Sequence, residues 1–135
     1  MKTLKGTSLD YQQALEAAGA IVHAYEMFGS YQGDWWAKVT LPDGRNGFVR
    51  GSYGSCSGCD ALQNMFGYSF GKEDWDANVT VFTDDEYERI VDFGRGELEE
   101  FYPTLEAAKV KASENIAWDM EAHKVVAWLE AQDAK

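Results

Sequence analysis

Cysteine, histidine, proline and basic residues are all scarce in this 135-residue chain. A zinc site with four Cys or His ligands would need both cysteines and both histidines, so zinc binding is not expected. Lys and Arg number 12 against 23 Asp and Glu, which argues against direct contact with nucleic-acid phosphates. No apolar run approaches the roughly 20 residues of a membrane span. The basic start Met1–Gly6 leads into no apolar stretch, so no signal peptide is expected.

The hydrophobic residues that are present can support a packed core. They make up 45% of the chain, and aromatic residues make up 14%, which is not typical of a disordered protein. The length suits one compact domain, and the sequence shows no internal repeat. We therefore expect a single α+β domain over residues 1–135.

The net charge of −11 is unevenly distributed along the chain. Five basic and five acidic residues balance each other up to Ser52, so the whole surplus lies after that residue. Between Glu73 and Glu100 there are eleven acidic residues against Arg89 and Arg95. A segregated charge of this kind indicates a partner with a basic surface more than a general need for solubility.

The first half of the chain has the pattern of a short helix followed by an antiparallel meander. The helix is predicted over Ser8–Ala18, with Ser8 as its N-cap and Gly19 ending it. Dense branched and aromatic residues predict three strands, separated by turns that include Pro42-Asp43-Gly44. These strands are Ala20–Phe28, Asp34–Leu41 and Asn46–Tyr53.

The second half is predicted to be mainly helical. Asn78–Phe82 alternates like a fourth strand, and Thr83 with Glu86 forms a capping box for a helix that ends at Gly94 or Gly96. Further helix is expected from Thr104 onwards, and Asp119 is a candidate N-cap for the last helix. That helix would bury Val125, Val126 and Leu129. The predicted fold is α+β: a meander of three to four strands packed with an acidic C-terminal helical half.

A loop rich in glycine, serine and cysteine follows the third strand and leaves three interpretations open. It is a possible ligand loop for a nucleotide signal, formed by Tyr53, Ser55, Cys56, Ser57 and Cys59. Alternatively, Cys56 and Cys59 carry thiol-redox chemistry. In the third interpretation they are small cysteines that pack a corner of the fold.

Signals for catalysis or metal binding are weak. Asp74-Trp75-Asp76-Ala77-Asn78 imitates the start of a calcium loop, but Val79 and Asp85 occupy the positions of the required Gly and Glu. His23 has the setting of a structural residue on a sheet, and no nucleophile elbow or metalloprotease motif is present. We expect a non-enzymatic protein with no metal and no cofactor.

Two features favour protein binding. Trp35 and Trp36 are adjacent on one strand and must point to opposite sheet faces. One can therefore enter the core, while the other meets a helix, a ligand or a partner. The second feature is a group of helical carboxylates, the acid row: Asp84, Asp85, Glu88 and Asp92. Such a row is either a solvated face or a ligand for a basic surface, where it can take the place of nucleic-acid phosphates.

Three stretches of the chain resemble small uncharacterised accessory proteins of tailed bacteriophages. They are residues 29–35 (GSYQGDW), 53–62 (YGSCSGCDAL) and 118–129. The resemblance implies a protein made in the cytoplasm of an infected bacterium, where Cys56 and Cys59 would be mostly reduced. It also implies a protein that binds and inhibits or redirects a host or antiviral-defence protein. The expected partner is a protein with a basic surface, and neither a nucleic acid nor a membrane.

Overall fold

A computed structural model describes residues 2–5, 10–29, 33–54, 71–114 and 122–135. These residues form seven strands and four helices. The strands are β1 (Lys2–Lys5), β2 (Ile21–Gly29), β3 (Gly33–Thr40), β4 (Asn46–Tyr53), β5 (Lys72–Asp74), β6 (Val79–Phe82) and β7 (Phe101–Tyr102). The helices are α1 (Tyr11–Ala17), α2 (Asp84–Glu97), α3 (Leu105–Glu114) and α4 (Ala122–Asp133).

The larger sheet is the predicted antiparallel meander, with strand order β2-β3-β4-β7. Gly44 adopts a positive φ of 94° in the turn between β3 and β4, as the Pro-Asp-Gly sequence predicts. The register between β2 and β3 shifts between Val22 and Ala24, which marks a bulge in β2. The two-residue strand β7, which the sequence analysis did not predict, completes the sheet.

The predicted fourth strand is present as β6, but it belongs to a second, smaller sheet. That sheet has the order β1-β6-β5, and both of its pairings are antiparallel. The first strand of the chain therefore pairs with a strand more than seventy residues later, for example through Thr3 opposite Val81. Pairing over such a distance leaves no local signal in the sequence.

Trp35 and Trp36 anchor two hydrophobic cores on opposite faces of the larger sheet. On the Trp35 face, α1 and α2 contribute Tyr11, Leu15 and Ile90. On the Trp36 face, the apolar side chains come from α3 and α4. The residues of that second core are Trp36, Phe48, Ala108, Ala112, Val125 and Leu129. The fold is thus α+β, with the meander lying between two helical layers.

Two predicted helix boundaries differ from the structure. Helix α1 begins at Tyr11 with Asp10 as its N-cap, so the prediction that Ser8 caps it is wrong. Helix α2 continues past Gly94 and Gly96 to Glu97. Gly94 is required inside α2 because a Cβ at this position would lie 2.1 Å from the carbonyl oxygen of Ala14 in α1. This glycine serves helix packing and does not end the helix.

A side-chain cap lies at the start of α3, and a lysine of β3 contacts the C-terminal end of α4. The hydroxyl of Thr104 accepts a hydrogen bond from the Ala107 amide at 3.1 Å, which confirms the predicted start of α3. In α4, Val125 and Leu129 are buried as predicted, whereas Val126 is only partly buried. Lys38 of β3 donates to the carbonyl oxygen of Gln132 at 2.7 Å, which places a cation at the C-terminal end of α4. The candidate N-cap Asp119 lies outside the described residues.

None of the helices in the described residues combines the length and the apolar character that a membrane crossing requires.

Candidate functional site

The acidic part of the molecule is organised around the start of α2. The Thr83 hydroxyl accepts a hydrogen bond from the Glu86 amide at 3.1 Å, and the Glu86 carboxylate accepts one from the Thr83 amide at 2.8 Å. This is the predicted capping box. The backbone amides of Thr83 and Gly71 lower the pKa of Glu86 because they donate to its ionised form. The first turn of α2 is therefore held in place by a charged carboxylate.

The acid row lies on the solvent side of the same helix. Asp84, Asp85, Glu88 and Asp92 are all exposed. The opposite side of α2 is buried through Ile90, Val91 and Gly94. Asp92 also pairs with Arg95 at 3.2 Å, but both side chains of this pair are well exposed. Because α2 is packed on one side, the carboxylates on its other side are displayed from a rigid support.

A hairpin formed by β5 and β6 directly precedes α2 and carries further exposed acids. Glu73, Asp74 and Asp76 are exposed on it. Between them stands Trp75, which is 72% exposed and is the most exposed large hydrophobic residue of the described chain. The Gly71 amide donates to Glu86 at 3.2 Å, which ties the start of β5 to the first turn of α2. We call the acid row together with Glu73, Asp74, Trp75 and Asp76 the acidic surface.

Both tryptophans that the sequence analysis offered as partner contacts are in the interior. Trp35 and Trp36 have no exposed surface, so the hypothesis that one of them anchors a partner is wrong. They do point to opposite faces, as predicted, and helices cover both faces. Within the described residues, neither indole N–H has a hydrogen-bond partner, so both side chains act as apolar filling.

The sequence around Trp75 does not by itself predict that this residue is a contact site. Its signal was the run Asp-Trp-Asp, in which acidic neighbours on both sides leave the indole no apolar sequence context. Asn78 then turns the chain with a positive φ of 53°, a conformation that asparagine tolerates better than most residues. This turn separates β5 from β6 and places Trp75 in the connecting segment.

Most of the candidate ligand loop lies outside the described residues. Ser55, Cys56, Ser57 and Cys59 belong to that part of the chain, so the ligand and thiol interpretations stay open predictions. Tyr53 is described and is half-buried. Its hydroxyl donates to the carbonyl oxygen of Phe28 at 2.7 Å, which joins the end of β4 to the end of β2.

The most buried ionic cluster is one that the sequence analysis missed. Arg50 donates to both carboxylate oxygens of Asp34 at 2.8 Å and to Glu100 at 3.1 Å. Tyr102 also donates to Glu100, at 2.9 Å. Asp34 and Arg50 lie on neighbouring strands of the meander, and Glu100 immediately precedes β7. The cluster therefore connects β7 to the rest of the sheet. In the sequence it is indicated only by Asp34 and Arg50, two charged residues within strand-like runs.

Burial and the neighbouring carboxylates shift the pKa values of Arg50 and Tyr102. Although burial alone would lower the pKa of Arg50, the carboxylates of Asp34 and Glu100 outweigh it and raise this pKa. Burial and the charge of Glu100 raise the pKa of Tyr102. Arginine and tyrosine therefore stay charged and neutral, respectively, across the physiological range. Arg50 and Tyr102 therefore act as fixed hydrogen-bond donors to the two carboxylates.

A surface groove of about 500 Å³ lies between the β3–β4 turn and the end of α2. Arg45 and Arg95 line it, but each already pairs with an acid: Arg45 with Asp43 at 2.9 Å, and Arg95 with Asp92. The guanidinium of Arg45 also lies over the ring of Phe101. Each of these two cations of the groove therefore already has a carboxylate partner.

The described residues also contain no group of three or more metal-ligating side chains. His23 shares a hydrogen bond with the Thr40 hydroxyl at 2.8 Å on the surface of the sheet, and that hydroxyl donates to Asn46. His23 thus lies on the sheet, as the sequence predicts.

The function of the acidic surface has to be argued from its own residues. No protein-family model, no curated protein and no solved structure matches this chain.

Proposed function

We propose that this chain is a non-enzymatic binding protein whose acidic surface binds a basic surface of another protein. The observation that carries the proposal is the rigid display of the acid row. Asp84, Asp85, Glu88 and Asp92 are exposed on a helix whose other side is packed into the core. Carboxylates held in this way lose little freedom on binding, and their field steers a basic partner toward the site.

Trp75 supplies the apolar contact that carboxylates alone lack. An exposed indole among Glu73, Asp74 and Asp76 offers a ring face to a Lys or Arg side chain that the acids have attracted. Tryptophan is also among the residues enriched at the energetic centres of interfaces. In this proposal Trp75 takes the anchoring role that the sequence analysis gave to Trp35 or Trp36.

The biological setting of the proposal comes from the resemblance to bacteriophage accessory proteins. In that setting the partner is a host or antiviral-defence protein, and the chain inhibits or redirects it inside the infected bacterium. A basic channel that normally receives nucleic acid is the natural target, because the acid row can replace phosphates there.

The electrostatic part is tested with two variants of equal net charge. The row variant carries Asp85→Asn, Glu88→Gln and Asp92→Asn. The control variant carries Glu16→Gln, Glu106→Gln and Asp133→Asn, three exposed acids that lie outside the acidic surface. On immobilised oligo-arginine, the row variant is expected to elute at a lower salt concentration than the control. Equal elution would show that only the net charge matters and would overturn the proposal.

The same pair of variants tests the specific partner. Each is used as bait in a bacterial lysate, beside the unmodified protein and Trp75→Ala. A partner of this site is captured by the unmodified protein and by the control, but much more weakly by the row variant and by Trp75→Ala. A protein retained equally by all four baits does not bind the acidic surface.

A further inference from the structure

Among the described strands, β2 lies at one edge of the larger sheet. It is nine residues long and pairs only with β3 among the described strands. Half of the backbone N–H and C=O groups of an edge strand face away from its neighbour and can pair with another strand. Ile21 is 60% exposed and Met27 is 46% exposed, so β2 holds two of the four exposed large hydrophobic residues in the described chain.

The other three sheet edges carry features that discourage pairing. Strand β7 has only two residues and is followed by Pro103. In β5, Lys72, Glu73 and Asp74 are all charged and exposed. Strand β1 has four residues, and its Lys2 is exposed. Short length, proline and charge are the usual protections of a sheet edge. Strand β2 is nine residues long and has no proline; its protections are the single charge of Glu26 and the bulge near Val22.

The charge distribution indicates what covers this edge. Strand β2 contains Glu26 as its only formal charge and no Lys or Arg, so it does not complement a basic or an acidic partner. It belongs to the part of the chain up to Ser52, in which five bases balance five acids. Two copies of a chain with net charge −11 repel each other most where the acids concentrate, and β2 lies in the neutral part.

We infer that a second copy of this chain pairs with β2, so that two larger sheets join into one across a two-fold axis. An antiparallel edge is complementary to itself, because each strand presents the same alternation of donors and acceptors to the other. The bulge lies near the start of β2, and the carbonyl oxygen of Phe28 already accepts a hydrogen bond from Tyr53, so the pairing would use the regular stretch from Ala24 to Met27. This inference is independent of the proposed partner binding, which uses a different surface.

The test is sedimentation equilibrium of the full chain and two matched double variants. Ile21→Lys with Met27→Lys adds two charges at the β2 edge, where both side chains are exposed and tolerate the change. Val110→Lys with Ala131→Lys adds the same charge at two exposed apolar positions outside β2 and outside the acidic surface. We expect a dimer for the unmodified chain and for the second variant, and dimer association about tenfold weaker or more for the first.

Three results would overturn the inference: an unmodified chain that is monomeric up to about 1 mM, a dimer equally stable in the β2 variant, or a dimer lost in the Val110 and Ala131 variant. Hydrogen exchange of the unmodified chain gives a second readout that needs no substitution. Amides of β2 are expected to exchange more slowly as the protein concentration rises, while amides of β5 do not change. Concentration-independent exchange in β2 would also contradict a dimer through this edge.

Discussion

The larger sheet and the acidic surface differ in whether their side chains are buried or exposed. The sheet is covered by helices on both faces, and its two tryptophans have no exposed surface. The acidic surface displays carboxylates and the exposed Trp75. The same residue type, tryptophan, thus stabilises the fold in one region and is available for contact in the other. Burial of apolar area therefore stabilises this fold, whereas the exposed carboxylates are available to bind a partner.

The largest effect is expected from removing a tryptophan of the sheet. Trp36→Ala should lower the free energy of unfolding by about 3–5 kcal/mol, because it leaves a cavity in the core beneath α3 and α4. Trp75→Ala should change it by less than about 0.5 kcal/mol, since its side chain is exposed. Urea denaturation measures both. Similar losses of unfolding free energy in Trp36→Ala and Trp75→Ala would contradict this difference between the larger sheet and the acidic surface.

The next largest effect on stability is expected from breaking a buried ion pair rather than an exposed one. Arg50→Met leaves Asp34 buried without its cation and should cost about 3 kcal/mol or more. Arg95→Met breaks the exposed pair with Asp92 and should cost less than about 0.5 kcal/mol. The side chains of the first pair are 12% and 7% exposed, against 66% and 70% for the second. A double-mutant cycle with Asp34→Asn separates the pair energy from the cost of the buried charge.

Two glycines of α2 sharpen the contrast between the inner and outer sides of this helix. Gly94→Ala should destabilise the protein by about 1–3 kcal/mol, because its Cβ would meet the backbone of Ala14. Gly96→Ala should stabilise it by about 0.5–1 kcal/mol, since no atom lies within 4 Å and alanine favours helix. Thermal unfolding reports both signs. Destabilisation by both substitutions would mean that α2 is packed on both sides.

The smallest effect is a pH dependence at the start of α2. The pKa of Glu86 is below its ordinary value of 4.5, so its ionised form stabilises the native state at higher pH. That contribution is present above pH 4.5 and is lost as the pH falls through the depressed native pKa. Unfolding at several pH values should show an advantage over Glu86→Gln of about 0.3–1 kcal/mol near neutrality, and this advantage should shrink in acid. Glu16→Gln controls for the loss of one charge.

Short-range patterns allowed correct predictions of several elements. The three strands of the meander, the capping box of Thr83 and Glu86, and the start of α3 all depend on residues within a few positions of one another. Predictions of helix boundaries failed where contact with a distant segment of the chain determines whether the helix continues. Gly94 indicates a helix end by itself, and only the contact with Ala14 of α1 explains why α2 continues through it.

The candidate site was predicted in part. The acid row is exposed on a helix, because helical spacing fixes which carboxylates share a side. Which tryptophan is exposed could not be predicted in the same way. The alternation of a strand determines that Trp35 and Trp36 diverge, but the sequence does not show that helices from both parts of the chain cover both faces.

Local chemistry was therefore enough to establish the class of fold, the meander and the uneven charge, since turns, caps and periodicity act over a few residues. Tertiary packing was needed to bury both sheet tryptophans, to bring β1 beside β6, and to assemble Arg50 with Asp34 and Glu100. It also left Trp75 and the edge of β2 exposed. Exposure is a property of the whole molecule, because it depends on whether any segment, however distant in sequence, comes to lie over a residue.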